Sequence, residues 1–392
     1  MNFYKLKDFD FNNKKIIVRV DFNVPLKNRK VIDDTKIRAA LPTIEFLIKK
    51  KCKIILMSHL GRPKGKVIDE LRLDPVAKKL SNILGKEVKK LDSCTGKEVE
   101  EAVAAMKDGD LIMLENIQFD HGEKENSKEY AEKLAKYADI YVNDGFGQCH
   151  RNYASFVAIT EYLPSCAGLL VEKELNTMLP IINNPKKPYT AVVGGAKADK
   201  IETINSLLKK ADKILIAGVL ANTFLKAKGY NIGSSLFDEE TIGLAKELAD
   251  NEKIMLPVDF IIADKLDENS DDKIVKAEDI PDNRMALDIG NETVEKYNGI
   301  IKDAKTVVFF GTIGAFEIDK FSKGTEQILS AMASSEADTI LGGGDSAAAA
   351  DKFGLSDKMT HVSTGGGASL ALFSGKELPA VKALEENYKK FK

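Results

Sequence analysis

Residues 168–195 read GLLVEKELNTMLPIINNPKKPYTAVVGG, and this stretch divides the chain into two halves. Its first part has the apolar spacing of a helix, with Leu169, Leu170, Leu175, Met178 and Leu179 as the apolar positions. The Asn-Asn-Pro sequence at 183–185 ends this helix, because proline cannot continue its hydrogen-bond ladder. A new apolar strand follows at 189–195. The stretch therefore predicts a helix that connects two separate sets of strands.

Short apolar segments alternate with amphipathic helical segments on both sides of this helix. Strands are predicted at 16–22, 54–58, 110–115, 140–144, 190–194, 213–217, 254–258, 306–310, 338–342 and 359–363. Such alternation predicts parallel sheets with helices on both faces, and this number of strands favours two sheets over one. We expect an α/β fold with two doubly wound parallel-sheet (Rossmann-like) domains, at 1–167 and 186–370, joined by an interdomain helix at 168–185.

The composition is that of a globular protein. The 392 residues are 44% hydrophobic and 30% charged, which is enough apolar material for large cores. A net charge of −2 disfavours a general nucleic-acid binder. No apolar run is long enough to cross a membrane, and the N-terminus lacks the apolar core of a signal peptide. We therefore expect neither a nucleic acid nor a membrane as a partner.

Cysteine, histidine and charge distribution narrow the functional classes further. Four cysteines and four histidines are scattered, without CxxC or HExxH spacing, so we expect a reduced, cytoplasmic protein without a transition-metal site. Residues 1–100 carry 24 lysines and arginines against 13 acidic residues. This asymmetry has two explanations: an uneven distribution of surface charge without a functional role, or a surface that faces an anionic ligand.

Glycine and polar residues follow strand after strand, at the sheet edge where open α/β folds bind ligands. The segments are VDFN (20–23), MSHLGRP (57–63), VNDGFG (142–147), VVGGAK (192–197), FFGTIG (309–314), LGGGDS (341–346) and VSTGGG (362–367). Backbone N–H groups in such turns, together with helix N-termini, can hold phosphate. The P-loop, the dinucleotide-binding GxGxxG and the protein-kinase signatures are all absent. Any phosphate is therefore bound in another way.

An ordered set of motifs along nearly the whole chain resembles the phosphoglycerate kinases. The motifs are RVDFNVP (19–25), DDTKIRAALPTI (33–44), LMSHLGRPKG (56–65), LEN (114–116), YVNDGFG (141–147), VVGGAK (192–197), GGGDSAA (342–348) and STGGGASL (363–370). The resemblance implies reversible phosphoryl transfer between 1,3-bisphosphoglycerate with ADP and 3-phosphoglycerate with ATP, dependent on Mg²⁺. It also implies a monomer whose domains face a cleft, with 3-phosphoglycerate on the first domain and the nucleotide on the second. A C-terminal tail, about 371–392, would return to the first domain.

The resemblance also implies roles for individual residues. Substrate binding is expected from Asp21, Asn23, Lys36, His59, Arg62, Gln118 and Arg151. Nucleotide binding is expected from Gly194, Gly195, Lys197, Lys200, Gly218, Asn222, Gly311, Glu317, Gly343, Gly344, Asp345 and Ser346, with Asp345 as the Mg²⁺ ligand. The catalytic positions would be Lys36, Lys197, Lys200 and Gly367. A carboxylate acceptor is already ionised at neutral pH, so catalysis would rest on positioning and on cancelling charge.

Several positions depart from the family's pattern. Lys36 and Gln118 stand where arginines are expected, Tyr153 replaces a histidine, and Phe310 replaces an asparagine. The loop after Lys197 is one residue shorter. Three hypotheses therefore stay open: an active phosphoglycerate kinase, a nucleotide-binding protein of the same fold with weak or lost catalysis, and a kinase of a related small acid.

Overall fold

The computed structural model describes residues 2–195 and 201–391. The chain divides into two units, one formed by Met1–Asn176 with Glu377–Lys392 and the other by Thr177–Lys376. The sequence position of this division falls inside helix α6, Leu169–Asn183. The helix ends where the Asn-Asn-Pro sequence begins, because proline disfavours helical backbone in the residue before it.

The first unit contains a parallel sheet of seven strands, in the order β1-β9-β8-β2-β5-β7-β6. The strands are β1 Tyr4–Lys5, β2 Lys15–Val20, β5 Lys53–Met57, β6 Val88–Lys90, β7 Leu111–Met113, β8 Ile140–Asp144 and β9 Ser165–Ala167. A short antiparallel hairpin, β3 Leu26–Lys27 with β4 Lys30–Val31, lies outside this sheet. The central strand β2 ends at Val20, earlier than predicted, so that Asp21 and Asn23 follow it in the loop.

Helices cover the sheet of the first unit. They are α1 Thr35–Lys49, α2 Asp74–Leu84, α3 Lys97–Ala104, α4 His121–Lys124, α5 Lys128–Ala135 and, from the C-terminal segment, α14 Pro379–Lys390. The buried side of α1 joins the same core cluster as Val18 of β2. The buried Asn387 of α14 donates to the carbonyl oxygens of Thr160 (2.6 Å) and Leu163 (2.8 Å). The C-terminal segment is thus built into the first unit.

The second unit contains a parallel sheet of six strands, in the order β12-β11-β10-β16-β17-β18. The strands are β10 Tyr189–Val193, β11 Lys213–Ile216, β12 Ile254–Met255, β16 Thr306–Phe310, β17 Asp338–Gly342 and β18 His361–Ser363. The strand predicted at 254–258 is much shorter, because Pro257 has no N–H with which to continue the ladder. The two parallel sheets confirm the predicted α/β class.

A second sheet in this unit was not predicted. It is antiparallel, in the order β14-β13-β15, with β13 Asp259–Ala263, β14 Asp272–Lys276 and β15 Met285–Ile289. Asp259 accepts hydrogen bonds from the N–H groups of Glu292 and Thr293, at 3.1 and 2.9 Å. These donors lie in the first turn of a helix, so the carboxylate ties that helix to β13.

Helices complete the second unit. They are α7 Ile201–Leu207, α8 Gly218–Ala227, α9 Ile242–Leu248, α10 Asn291–Asp303, α11 Lys323–Ser334, α12 Gly344–Lys352 and α13 Gly367–Phe373. Across residues 2–195 and 201–391, no helix is both long and apolar enough to span a membrane.

Candidate active site

The first cluster of predicted site residues lies at the carboxyl ends of β2 and β5. Asp21 is only 7% exposed, and its Oδ2 lies 3.0 Å from the ammonium of Lys36, in the first turn of α1. Its Oδ1 lies 4.0 Å from Nδ1 of His59. The side-chain oxygen of Asn23 accepts a hydrogen bond from the N–H of Gly61, at 2.8 Å. The structure thus brings two strand ends and one helix start together around a buried carboxylate.

The charges in this cluster are set by burial and by the neighbouring basic groups. Burial alone would raise the pKa of Asp21, but the charge of Lys36 and its hydrogen bond, together with the charge of Arg19, lower that pKa below its ordinary value. Asp21 is therefore a carboxylate. Burial lowers the pKa of His59 to about 3, and the positive charge of Arg19 acts in the same direction. At neutral pH His59 is therefore an uncharged hydrogen-bonding group.

A buried arginine that the sequence analysis did not single out lies behind this cluster. The Nε of Arg19 donates to Oγ of Ser155 at 2.8 Å, and its Nη2 lies 3.9 Å from Glu123. The guanidinium stacks on Phe156, 4.4 Å from the ring centroid. Glu123 also accepts from the Ser155 N–H (2.9 Å) and hydroxyl (2.7 Å). Arg19 therefore connects its own strand, β2, to Glu123 and to the segment that carries Ser155 and Phe156.

The remaining substrate candidates differ in what they offer a ligand. Arg62 and Arg151 are exposed, and neither forms an ion pair with any residue that the structure describes. Gln118 is only 4% exposed, and its backbone carbonyl oxygen accepts a hydrogen bond from the backbone N–H of Gly65 at 3.2 Å. This bond ties the loop that carries Arg62 to the segment that carries Gln118. The two arginines are consequently free to bind an anion, whereas Gln118 contributes no charge.

Two basic residues near the cluster were also missed. Burial lowers the pKa of His150 to about 4, whereas the negative charge of Asp21 acts to raise that pKa. His150 therefore lies within electrostatic range of the buried Asp21 carboxylate. The charge of Lys124 likewise contributes to the low pKa of His59. The sequence signal for His150 was its position directly before Arg151. No sequence signal distinguished Lys124 from the many other lysines.

Glycines at the strand ends of the second unit form a second cluster. The N–H of Gly194 donates to the carbonyl oxygen of Phe310, and that of Gly195 to Thr312, both at 2.8 Å. Gly218 has φ +60°, and a Cβ on it would lie 2.8 Å from the nitrogen of Gly195. A Cβ on Gly194 would likewise collide with the carbonyl oxygen of Thr312, so side chains at Gly194 and Gly218 would push the ends of β10, β11 and β16 apart. The predicted lysines at 197 and 200 lie outside the described residues.

Ser346 connects the end of β16 to the end of the neighbouring strand β17. Its Oγ accepts from the N–H of Gly311 at 2.9 Å and lies 3.2 Å from the carbonyl oxygen of Gly342. Gly343, at φ +112°, and Gly344 then start α12, with Asp345 exposed in its first turn. Ser346 thus holds the loop, while the helix start beside it presents N–H groups and one carboxylate to solvent.

The other nucleotide candidates lie on separate elements of the same unit. Asn222 is buried in α8, where its Nδ2 donates to the carbonyl oxygen of Leu236 at 2.9 Å. Its Oδ1 is buried without a hydrogen-bond partner among the described residues. Glu317 is exposed in the loop after β16, and Gly367 is the exposed first residue of α13 after β18. The structure does not show direct contacts among these three within its described ranges.

Phe310 has a packing role. Its ring lies 5.1 Å from that of Phe373, in an edge-on arrangement, and it is almost fully buried. A Cβ on Gly342 would collide with the Phe310 ring, so the glycine leaves the space that the ring occupies. The aromatic side chain that replaces the expected asparagine is thus part of the packing between β16, β17 and α13.

The donor set in this unit limits which metal could bind. Within the two described ranges, no three His, Cys, Asp or Glu residues cluster as metal ligands. Asp345 is a single exposed carboxylate beside glycine N–H groups. Mg²⁺ commonly takes one or two carboxylates and fills its other positions with phosphate oxygens and water. The residues present therefore fit a Mg²⁺ ion that arrives with a nucleotide.

Comparison with known proteins identifies the family. A family model described as phosphoglycerate kinase matches residues 6–376. The chain belongs to the phosphoglycerate kinase family. A phosphoglycerate kinase from Moorella thermoacetica is 49% identical over 387 residues, covering 97% of this chain and 98% of that protein. The resemblance inferred from the motifs is therefore confirmed.

Solved phosphoglycerate kinases also share the fold. The enzyme from Coxiella burnetii superposes with a TM-score of 0.85 at 40% identity, covering 99% of this chain and 100% of that chain. The enzyme from Pyrococcus horikoshii gives a TM-score of 0.89 at 33% identity, with the same coverage. Phosphoglycerate kinases are glycolytic phosphotransferases with a carboxyl group as acceptor.

Proposed function

We propose that this chain transfers a phosphoryl group reversibly between ATP and the carboxylate of 3-phosphoglycerate. The observation that carries the proposal is the cluster at the ends of β2 and β5, where buried Asp21 is held by Lys36 beside neutral His59. Arg62 and Arg151 are exposed and form no ion pair with any described residue. They would supply the positive charge that binds a phosphorylated acid.

The substrate roles follow from the chemistry of each side chain. Asp21 would accept a hydrogen bond from the substrate hydroxyl, and Asn23 would contribute its side-chain amide there. Lys36 would neutralise the substrate carboxylate. Arg62 and Arg151 would bind the phosphate group, because guanidinium groups pair well with phosphate oxygens. His59, which is uncharged, would add a hydrogen bond rather than a charge. Gln118 would contribute an amide without charge.

The nucleotide roles rest on the glycine-lined strand ends of the second unit. N–H groups at the starts of α8 and α12 would hold phosphate oxygens, aided by the helix dipoles. The residues proposed for this side are Gly194, Gly195, Gly218, Asn222, Gly311, Glu317, Gly343, Gly344 and Ser346. Asp345 would be the protein ligand of Mg²⁺, which when bound neutralises phosphate charge. Lys197, Lys200 and Gly367 stay proposed catalytic positions on the strength of the motifs alone.

The mechanism we propose uses position and charge, without a general base. The acceptor carboxylate is ionised at neutral pH, so this chain's cations need only align it and stabilise the transferring group. Direct transfer requires the reacting atoms to approach within about 3–3.5 Å. Because each unit carries one of the two proposed sites, we propose that turnover includes a hinge motion that brings the ligands together.

We further propose that the protein acts as a cytoplasmic monomer. Support for a reducing compartment comes from its four cysteines, Cys52, Cys94, Cys149 and Cys166, which are all free.

Steady-state turnover with MgATP and 3-phosphoglycerate tests the proposal. Arg62→Ala should raise the KM for 3-phosphoglycerate about 10- to 100-fold, because a charge-assisted phosphate contact contributes about 1.5–3 kcal/mol. Asp345→Ala should lower kcat/KM for MgATP. The matched control is Arg38→Ala, since Arg38 is exposed and already bound to Asp34 at 2.9 Å. It should leave both constants within twofold.

The same assay separates the three hypotheses. Nucleotide binding without turnover of 3-phosphoglycerate or of other small acids would favour a protein that has lost catalysis. Turnover of another phosphorylated or carboxylic acid, with none of 3-phosphoglycerate, would favour a related kinase. Normal Mg²⁺-dependent turnover by Asp345→Ala would contradict the metal assignment.

A further inference from the structure

Gln118 leaves an electrically neutral position inside the proposed substrate site. It is 4% exposed, and its side-chain amide has no hydrogen-bond partner within the described part of the chain. Its backbone accepts the N–H of Gly65, three residues after Arg62. A phosphate bound between Arg62 and Arg151 would therefore meet an uncharged amide at this position.

Helix α4, which directly follows Gln118, is held in a fixed position beside this site. Asp120 accepts the N–H of Gly122 at 2.8 Å and so caps the helix. On one side, Gly65 lies so close to the ring of His121 that a Cβ there would collide with it. On the other side, the N–H of Ala154 donates to the carbonyl oxygen of Glu123 at 2.8 Å. The helix thus lies between the loop of Arg62 and the segment after Arg151.

Lys124, the last residue of α4, is the half-buried cation at this position. Its charge contributes to the low pKa of His59, so the ammonium lies within electrostatic range of that ring. The adjacent Glu123 points inward to Arg19 and Ser155 and is not available to Lys124. No carboxylate in residues 2–195 or 201–391 forms an ion pair with Lys124.

The lysines of the next helix behave differently. Lys128 binds Glu161 at 2.8 Å, Lys133 binds Glu129 at 2.6 Å, and Lys136 lies 3.5 Å from Glu132. All three are well exposed, and their charges are matched locally. A half-buried lysine without a carboxylate partner keeps a positive charge that an anionic ligand can pair with.

We propose that Lys124 binds the phosphate group of the substrate and supplies the positive charge that Gln118 does not. The inference rests on the proposed function, since it takes a phosphorylated small acid as the ligand of the site. Arg62 and Arg151 reach this phosphate from the two segments that flank α4, and Lys124 adds a third cation between them. Lys124 is thereby a substrate-binding residue contributed by α4.

The test compares Lys124→Gln with a matched control, Lys128→Gln. Lys128 is the first residue of the next helix, α5, and its side chain is 69% exposed in a surface ion pair, so its loss should change the KM less than twofold. Lys124→Gln should raise the KM for 3-phosphoglycerate about tenfold or more, with the KM for MgATP unchanged. Inorganic phosphate, used as a competitive inhibitor, should lose affinity by a similar factor.

Rescue separates a phosphate ligand from a residue that only supports the fold. Adding Gln118→Arg to Lys124→Gln should restore most of the lost affinity, and Lys124→Arg should retain it. Equal KM values for Lys124→Gln and Lys128→Gln would overturn the inference while leaving the proposed function intact. If the wild type does not turn over 3-phosphoglycerate, the proposed function fails. Calorimetric titration with inorganic phosphate then decides the role of Lys124, and equal affinities of wild type and Lys124→Gln would refute it.

Discussion

Replacing Asp144 by asparagine should flatten the pH dependence of unfolding. This carboxyl group ends β8 and is fully buried. Its Oδ1 accepts a hydrogen bond from the N–H of Leu170 at 2.9 Å, whereas Oδ2 is buried without a partner among the described residues. A Cβ on Gly168 would collide with the carboxyl group, which shows how tightly this site is closed.

The size of the effect follows from the pKa of Asp144. Burial raises this pKa from 3.8 to about 7. At about 1.4 kcal/mol per pKa unit, ionisation destabilises the folded state by roughly 4 kcal/mol at high pH. The folded state keeps the proton between about pH 4 and 7, while the unfolded chain has lost it. The free energy of unfolding therefore falls as pH rises through this window, by about 2–3 kcal/mol between pH 5 and 8 from this group.

Urea unfolding followed by far-ultraviolet circular dichroism at pH 5, 6, 7 and 8 measures this effect, since the chain has no tryptophan to report by fluorescence. Between pH 5 and 8, the free energy of unfolding of Asp144→Asn should fall by about 2–3 kcal/mol less than that of the wild type. The control is Asp139→Asn, an exposed carboxylate that accepts the N–H of Lys15 at 2.9 Å. It should follow the wild-type pH dependence. An unchanged slope in Asp144→Asn would refute the reasoning.

Two further predictions concern buried polar groups of the first unit. Asn387→Ala should lower the free energy of unfolding by about 2–4 kcal/mol, because it leaves the N–H of Ser165 and the carbonyl oxygen of Thr160 without partners and removes one of two donors to the carbonyl oxygen of Leu163. The exposed Glu386→Ala on the same helix should change it by less than 0.5 kcal/mol, and similar losses in both would contradict the assignment. Glu123→Leu should cost about 3–5 kcal/mol in the same urea assay, because it leaves the buried Arg19 without its nearest carboxylate. A loss below about 1 kcal/mol would mean that Arg19 is compensated by other groups.

Local sequence patterns were sufficient for the main elements of the fold. The apolar spacing after Gly168 predicted a helix, which the structure places at Leu169–Asn183. Continuous apolar runs predicted the buried parallel strands, because strands covered on both faces need no polar alternation. The antiparallel sheet was missed, since β14 is mostly exposed and has little apolar signal. Its existence depends on pairing with β13 and β15.

The sequence by itself determined the family and the order of the polar strand ends, because these are local runs of residues that can be recognised without coordinates. Only the tertiary structure decided which of these residues meet. Arg19 and Glu123 are far apart in sequence but form one buried group, and burial makes His59 neutral at physiological pH. Phe310 packs against Phe373, and the half-buried Lys124 has no carboxylate partner among the residues described. These properties arise from long-range packing and desolvation, which no local pattern encodes.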